Sequence, residues 1–293
     1  MPGKVYLVGA GPGDPELLTL KALRALKSAD VVLHDALIAP EVLALVPRST
    51  RLENVGKRCG QKSTPQTEIN QLLIAYAKLD LTVVRLKGGD PLIFGRSGEE
   101  IEALRRANID FEIVPGITAA LGAAAAAKIP LTHRDVSSAV IFLTSHHSEP
   151  AGNGGDRWPT QLPAKATIVV YMPGRDYQQT AEKLCRTGIP EQTPCAIISR
   201  AASREEQVYK TTVAELHTAP QLPAPSLLLV GEVARFAAHE SMNPAAWLGE
   251  KTGQEFQTLT EAIMQFSASH LSDPYLSDPF SADPYSTNGE QPE

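Results

Sequence analysis

The feature that most constrains this chain is an order repeated through its first 130 residues: a short apolar run, a turn, then a stretch with helical spacing. Val5-Tyr6-Leu7-Val8 reads as a buried strand ended by the glycines that follow. Asp14-Pro15 reads as an N-cap with proline at the first helical position, and Leu17, Leu20, Leu23 and Leu26 continue at helical spacing. Residues 29–33, 81–86 and 111–114 predict further strands. Thr64-Pro65 opens a helix between two of them, and residues 117–127 predict another. Strands apolar on both faces and separated by helices imply a parallel sheet covered on both sides, so the fold class is α/β.

Beyond Pro130 the pattern pauses and resumes. Residues 136–144, 167–172, 194–199 and 226–230 predict strands and residues 178–186 a helix, which together make a second α/β domain. The polar, Gly- and Pro-rich residues 146–163 read as an insertion or long surface loop. The expected division is an N-terminal domain over residues 1–133, a C-terminal domain over 134–239 and a tail over 240–293.

Charge and cysteine content narrow the function. The 293 residues carry 27 Lys and Arg against 33 Asp and Glu, a net charge of −6, which argues against a general nucleic-acid or membrane binder. From Glu240 onward there are nine acidic residues and one basic, so the body is close to neutral. Acidic, serine-rich and broken by proline, the tail with its Ser-Asp-Pro-aromatic repeats predicts disorder. A solubilising role is the simpler reading, and docking through the spaced aromatics is the alternative. Cys59, Cys185 and Cys195 show no CxxC spacing, and His146-His147 lacks neighbouring ligands, so no metal is expected. The N-terminus lacks the regions of a signal peptide, and the weakly polar residues 117–127 are too few to span a bilayer, so a cytoplasmic protein is expected.

Three strand-to-helix turns carry the candidate chemistry. The first, Gly9-Ala10-Gly11-Pro12-Gly13-Asp14, permits close backbone approach to a ligand. It departs from the dinucleotide fingerprint because Asp14 stands where the third glycine belongs, and a carboxylate at a helix start repels a pyrophosphate. A nucleoside bearing a sulfonium suits it better than NAD; a tight turn capped by Asp14 is the structural alternative. The second, Gly88-Gly89-Asp90-Pro91, also follows a strand, where ligands gather in open α/β sheets. Its alternative is a turn with a solvated aspartate. The third, Pro115-Gly116-Ile117-Thr118-Ala119-Ala120, leaves space beside the backbone, with Thr118 either near the same crevice or serving as an N-cap. Asp35 ends a strand, and Lys57 and Arg58 lie in a loop framed by Gly56 and Gly60; most such charges are only solvated surface groups.

Together these segments resemble the uroporphyrinogen-III C-methyltransferases, within the SAM-dependent tetrapyrrole methylases. The carrying motifs are VYLVGAGPGDPELLTLKAL from Val5, ADVVLHDALI from Ala29, GKRCGQKSTPQTEIN from Gly56, VVRLKGGDPLIFGRSGEE from Val83 and VPGITAALGAAAAAKIPLTHRD from Val114. TIVVYMP from Thr167 and PSLLLVGEVA from Pro225 continue the match, which spans about residues 4–235.

The resemblance implies a two-domain methylase fold with S-adenosylmethionine in the cleft between the domains, a homodimer, and methylation of uroporphyrinogen III at C2 and C7 to precorrin-2. It assigns cofactor contacts to Pro12, Gly88, Gly89, Asp90, Ile93, Thr118, Ala119, Met172 and Ala201. It also assigns the proton acceptor to Asp35 and the proton donor to Lys57. Ala201 stands where related sequences can have glycine, and Pro173 follows Met172 where glycine is often seen. The expectation is a methylase with no dehydrogenase–chelatase module before it.

A polycarboxylate substrate calls for cations around the cleft, and Arg58, Lys62, Lys87, Arg96 and Arg134 are the candidates beside Lys57. The competing readings are a sister methylase acting on a later corrin intermediate, a nucleotide-binding oxidoreductase resting on the first glycine turn alone, and a silent scaffold recruiting partners through its tail.

Overall fold

The computed structural model describes residues 3–56, 64–145, 158–163 and 165–237. All of them lie within one compact unit, Met1–Pro244. The first sheet is built by β1 (Val5–Gly9), β2 (Val31–His34), β3 (Arg51–Asn54), β4 (Val83–Lys87) and β5 (Phe111–Val114). Their spatial order is β3-β2-β4-β1-β5, and every pairing is parallel, as the doubly apolar strands require. One face of the sheet packs Val8, Val32, Val84 and Leu86 against α1 (Leu20–Lys27) and α2 (Pro40–Leu43). The other packs Val5, Leu7, Leu33 and Val83 against α3 (Gln66–Lys78) and α4 (Ser97–Arg106).

Two elements have no apolar run to announce them. β3 is a partly exposed edge strand, RLEN, and half of α4 is charged, with Ile101 and Leu104 as its inward stripe. The helix expected from Asp14 splits in two. Asp14 caps a single 3-10 turn, Pro15–Leu17, accepting from Glu16 N at 2.8 Å. The α-helix starts afresh at Leu20, where the Thr19 hydroxyl accepts from Ala22 N at 3.1 Å. Similarly, Pro65 occupies the capping position of α3 rather than its first turn, and no side chain caps that helix.

The second sheet is of a different kind. It contains β6 (Ala139–Thr144), β7 (Ala166–Tyr171), β8 (Pro194–Ser199), β9 (Gln207–Thr212) and β10 (Ser226–Val230), in the order β6-β7-β10-β8-β9. Only β6 and β7 run parallel; the other pairings are antiparallel. β9 is a half-exposed edge strand with no apolar run of its own. The helix α6 (Tyr177–Arg186) covers one face, with Tyr177 and Leu184 inside. Trp158 and Leu162 join that core, so part of the expected surface loop is packed. Residues 146–157 of that loop, and the tail beyond 237, lie outside the described residues.

The sheets meet through α5 (Ala119–Ala126). Ala120, Ala123, Ala127 and Ile129 pack against Val169, Tyr171, Ala196, Ile198, Leu227 and Leu229 of the second sheet. On another side of the same helix, a Cβ on Gly122 would lie 2.7 Å from Pro12 Cβ of the first turn. The buried positions Ala120, Gly122, Ala123 and Ala124 have room only for small residues, while Leu121, the one large residue of this helix, is exposed.

Candidate active site

Because β4, β1 and β5 are adjacent and parallel, the turns that follow them leave the sheet at one edge. The register pairs Gly9 with Lys87 and Val8 with Val114, so the turns start at nearly the same height. They then touch. Gly11 N donates to Gly89 O at 3.2 Å and Gly89 N donates to Gly11 O at 2.8 Å. A Cβ on Gly9 would lie 2.6 Å from Gly89 O and 2.7 Å from Gly116 Cα, so only glycine permits this three-way backbone contact. Asp90 secures it: Oδ2 accepts from Gly116 N at 3.0 Å and Oδ1 from Leu92 N at 2.8 Å. This carboxylate ties the second turn to the third instead of standing solvated. Gly88 differs from these glycines. It is exposed, and no atom lies within 4 Å of where its Cβ would stand.

The second sheet closes on this junction. At the end of β7, the Tyr171 hydroxyl bonds Thr118 Oγ1 at 2.6 Å and accepts from Ala120 N at 3.1 Å. Thr118 thus occupies the capping position of α5, but its hydroxyl is turned to Tyr171, which serves the helix in its place. Burial pushes the Tyr171 phenol above its ordinary range. Phe94 and Phe142 lie against its ring at 4.9 and 5.6 Å between centroids. Met172 follows with φ +49°, its side chain exposed. After β8, Ala201 sits between Arg200 and Ala202, both at positive φ. The carbonyls of Ala202 and Ala201 face Gly13, 3.6 and 3.9 Å from where a Cβ would be. Glu206 holds this loop by accepting from Ala202 N at 2.8 Å. Ile93, Ala119 and Ala201 pack half-buried against the cluster that contains Tyr171. Turns distant in the chain therefore form one neighbourhood around Pro12, Gly88, Gly89, Asp90, Ile93, Thr118, Ala119, Met172 and Ala201.

A buried chain of charges runs beneath the edge. Asp35 follows β2, and its Oδ1 accepts from Arg85 Nη2 at 2.5 Å. Arg85 Nε donates to Glu100 Oε1 at 3.0 Å, and Lys87 Nζ donates to both Glu100 oxygens at 3.0 Å. Gln66 Nε2 reaches the same Glu100 oxygen at 3.2 Å. Burial opposes the charge on Arg85, but Asp35 and Glu100 outweigh it and hold the guanidinium above the ordinary arginine value. Lys87 is held below the ordinary lysine range, by burial first and by the charge of Arg85 second.

The candidate cations separate accordingly. Lys87, expected at the cleft mouth, is only 3% exposed and committed to Glu100, because its side chain shares a face of β4 with Arg85 beneath α4. Arg96 is exposed and forms a fork with Glu99 at 2.7 and 2.8 Å. Arg134 is exposed. Lys57, Arg58 and Lys62, together with Cys59, lie outside the described residues, as does His146-His147. Tyr171, Glu100 and Gln66 were not expected at the site. The available signal was two cations at alternate positions of an otherwise apolar strand, Arg85 and Lys87, which demand a buried counter-ion. Among the described residues no group of three His, Cys, Asp or Glu side chains is placed to hold a metal, and no helix is long and apolar enough to cross a membrane.

With this geometry in view, comparison with known proteins decides the family. The profile of the Tetrapyrrole (Corrin/Porphyrin) Methylases matches residues 4–217. The chain belongs to the tetrapyrrole methylases. Among curated relatives of this methylase, siroheme synthase 1 of Pectobacterium atrosepticum is 47% identical over 266 residues, covering 90% of this chain and 54% of that protein. The chain spans about half the length of the curated relatives it matches. Among solved structures, uroporphyrin-III-C-methyltransferase from Thermus thermophilus superposes with TM-score 0.68 at 42% identity, covering 87% of this chain and 100% of that one. A uroporphyrin-III C-methyl transferase from Thermus thermophilus complexed with S-adenyl homocysteine superposes with TM-score 0.68 at 38% identity over 82% of this chain and 97% of that one.

Proposed function

We propose that this methylase transfers two methyl groups from S-adenosylmethionine to C2 and C7 of uroporphyrinogen III, giving precorrin-2 for sirohaem or cobalamin synthesis and S-adenosylhomocysteine as co-product. The observation that carries the proposal is the joining of the three glycine turns at one sheet edge, with Gly88 facing open space. The residues fit this methyl donor. Asp14 already caps its own turn at Glu16 N, so that helix start offers no seat to a pyrophosphate. The half-buried Ile93 and the exposed Met172 offer apolar surface to a nucleoside base.

Pro12, Gly88, Gly89, Asp90, Ile93, Thr118, Ala119, Met172 and Ala201 would hold S-adenosylmethionine, which when bound supplies a methyl group already activated on a sulfonium. What remains for the chain is alignment and proton transfer. Holding two reactants in attacking geometry lowers a barrier by roughly 7–11 kcal/mol. Asp35, at the edge of the same sheet, is the general base for the proton that the methylated ring sheds, and Lys57 the proton donor. Arg58, Lys62, Arg96 and Arg134 pair with substrate carboxylates. Lys87 instead supports the structure from within. A domain boundary at 133/134 suits the sheets, the first ending at Val114 and the second beginning at Ala139.

The test is incubation of the full chain with S-adenosylmethionine and uroporphyrinogen III, followed by mass analysis of the tetrapyrrole. A gain of two methyl groups is expected, and no gain overturns the proposal. Precorrin-2 as a separate acceptor distinguishes a methylase of later corrin intermediates. The homodimer and the cytoplasmic location belong to the same proposal; light scattering tests the first and cell fractionation the second.

A further inference from the structure

The first sheet buries charge where apolar residues would serve stability at least as well. Glu100 is 0% exposed and Arg85 and Lys87 are each 3% exposed. Desolvating such ions is costly, and buried ion groups are often replaceable by apolar ones without loss of stability. Their geometry indicates another use. Arg85 is gripped on every side of its fork: Nε by Glu100, Nη2 by Asp35, and Nη1 by the carbonyls of Leu86 and Leu33 at 3.2 and 3.4 Å. The Leu86 carbonyl also accepts from Asp35 N at 3.3 Å, so side chain and backbone of Asp35 share one reference point on β4. Glu100 is held in turn by Lys87 and Gln66. Within this linked group Asp35 is the outward end, its side chain 33% exposed.

We propose that Arg85 is a positioning residue: its guanidinium, anchored on Glu100, sets the orientation of the Asp35 carboxylate. The proposal rests on Asp35 being the general base. A fork is needed because one end must stay on Glu100 while the other holds Asp35, and the single nitrogen of lysine cannot span both.

The experiment is a double-mutant cycle in the full chain with Asp35→Asn and Arg85→Gln, reading kcat and KM for uroporphyrinogen III and S-adenosylhomocysteine affinity by calorimetry. Arg85→Gln should lower kcat by about 10- to 100-fold, with KM and S-adenosylhomocysteine affinity little changed. Combined with Asp35→Asn it should add nothing, because the residue through which it acts is already gone. Full activity in Asp35→Asn removes the base and this inference with it. A reduced rate in Asp35→Asn that Arg85→Gln lowers again by its full factor overturns the inference alone, as does wild-type kcat in Arg85→Gln. Should Arg85→Gln fail to bind S-adenosylhomocysteine, Arg85→Lys takes its place in the cycle. It keeps a buried cation but not the fork, so reduced kcat with intact binding is expected and wild-type kcat overturns the proposal.

Discussion

The first sheet meets the proposed site with backbone, whereas the second meets it largely with side chains and a carbonyl-bearing loop. Parallel strands release their turns at one edge, and Gly9, Gly89 and Gly116 let those turns touch with no side chain between them. The mostly antiparallel second sheet contributes the Tyr171 hydroxyl, the edge-on contact of Phe142 with Tyr171 and the loop after Ser199, and Phe94 from the turn after β4 tilts against the same tyrosine ring. The two also differ in buried charge. Among the described residues, the buried ions Arg85, Lys87 and Glu100 all belong to the first sheet and its helix, while the buried polar groups of the second, such as Thr167, Thr180 and Ser199, are uncharged hydroxyls. One region is held by close backbone contact and ionic linkage, the other by apolar packing with a few neutral hydrogen bonds. The proposed methyl-transfer site thus draws on two physically distinct sources.

Four substitutions probe this contrast. The largest loss is expected for Glu100→Ala, which strands Arg85 and Lys87 in the core. Breaking a buried ion group this way costs about 3–5 kcal/mol, read by denaturant unfolding. A loss under about 1 kcal/mol would show that the ions are not a linked unit. Gly116→Ala comes next, since its Cβ would stand 2.8 Å from Gly9 Cα as well as against Gly89 O. Up to about 3 kcal/mol is expected, together with weaker S-adenosylhomocysteine binding; an unperturbed melt and affinity would mean that the turns separate freely. Tyr171→Phe leaves the buried Thr118 hydroxyl and Ala120 N without their partner, for about 1–2 kcal/mol and a measurable loss of affinity in calorimetry. If stability is unchanged, the second sheet holds α5 by packing alone. Gly88→Ala has the smallest effect on folding, within about 0.5 kcal/mol, because nothing stands near its Cβ. Its effect should fall on S-adenosylhomocysteine affinity, and equal affinity would remove Gly88 from the ligand's surroundings. Gly89→Val is a blunter probe, since φ +67° and Ala119 N at 3.4 Å strain the fold itself.

Much of the parallel sheet was legible beforehand, and the reason is local. Short apolar runs mark the strands, and glycines after β1, β4 and β5 mark their turns, so the expected bounds of β1, β2, β4 and β5 agree with the structure to within two residues. β3, β9 and α4 were not read because an edge strand or surface helix needs few apolar residues to form. At the site, the glycine turns were visible, but which glycines face backbone and which faces space was not. Lys87 shows the limit most plainly. A lysine beside a glycine turn reads as a surface cation, yet its place in the pleat puts it under α4 with Glu100.

The chain's sequence alone therefore determined the α/β order, the positions of the three turns and the family resemblance, since these depend on patterns within a few residues of one another. Only the tertiary structure decided that the turns meet, that Tyr171 stands over Thr118 from 53 residues away and that Arg85 links Asp35 to Glu100. Hydrogen bonds and buried ion pairs depend on distance in space, and a residue's ion-pair partner cannot be read from residue type until the sheet brings the two together.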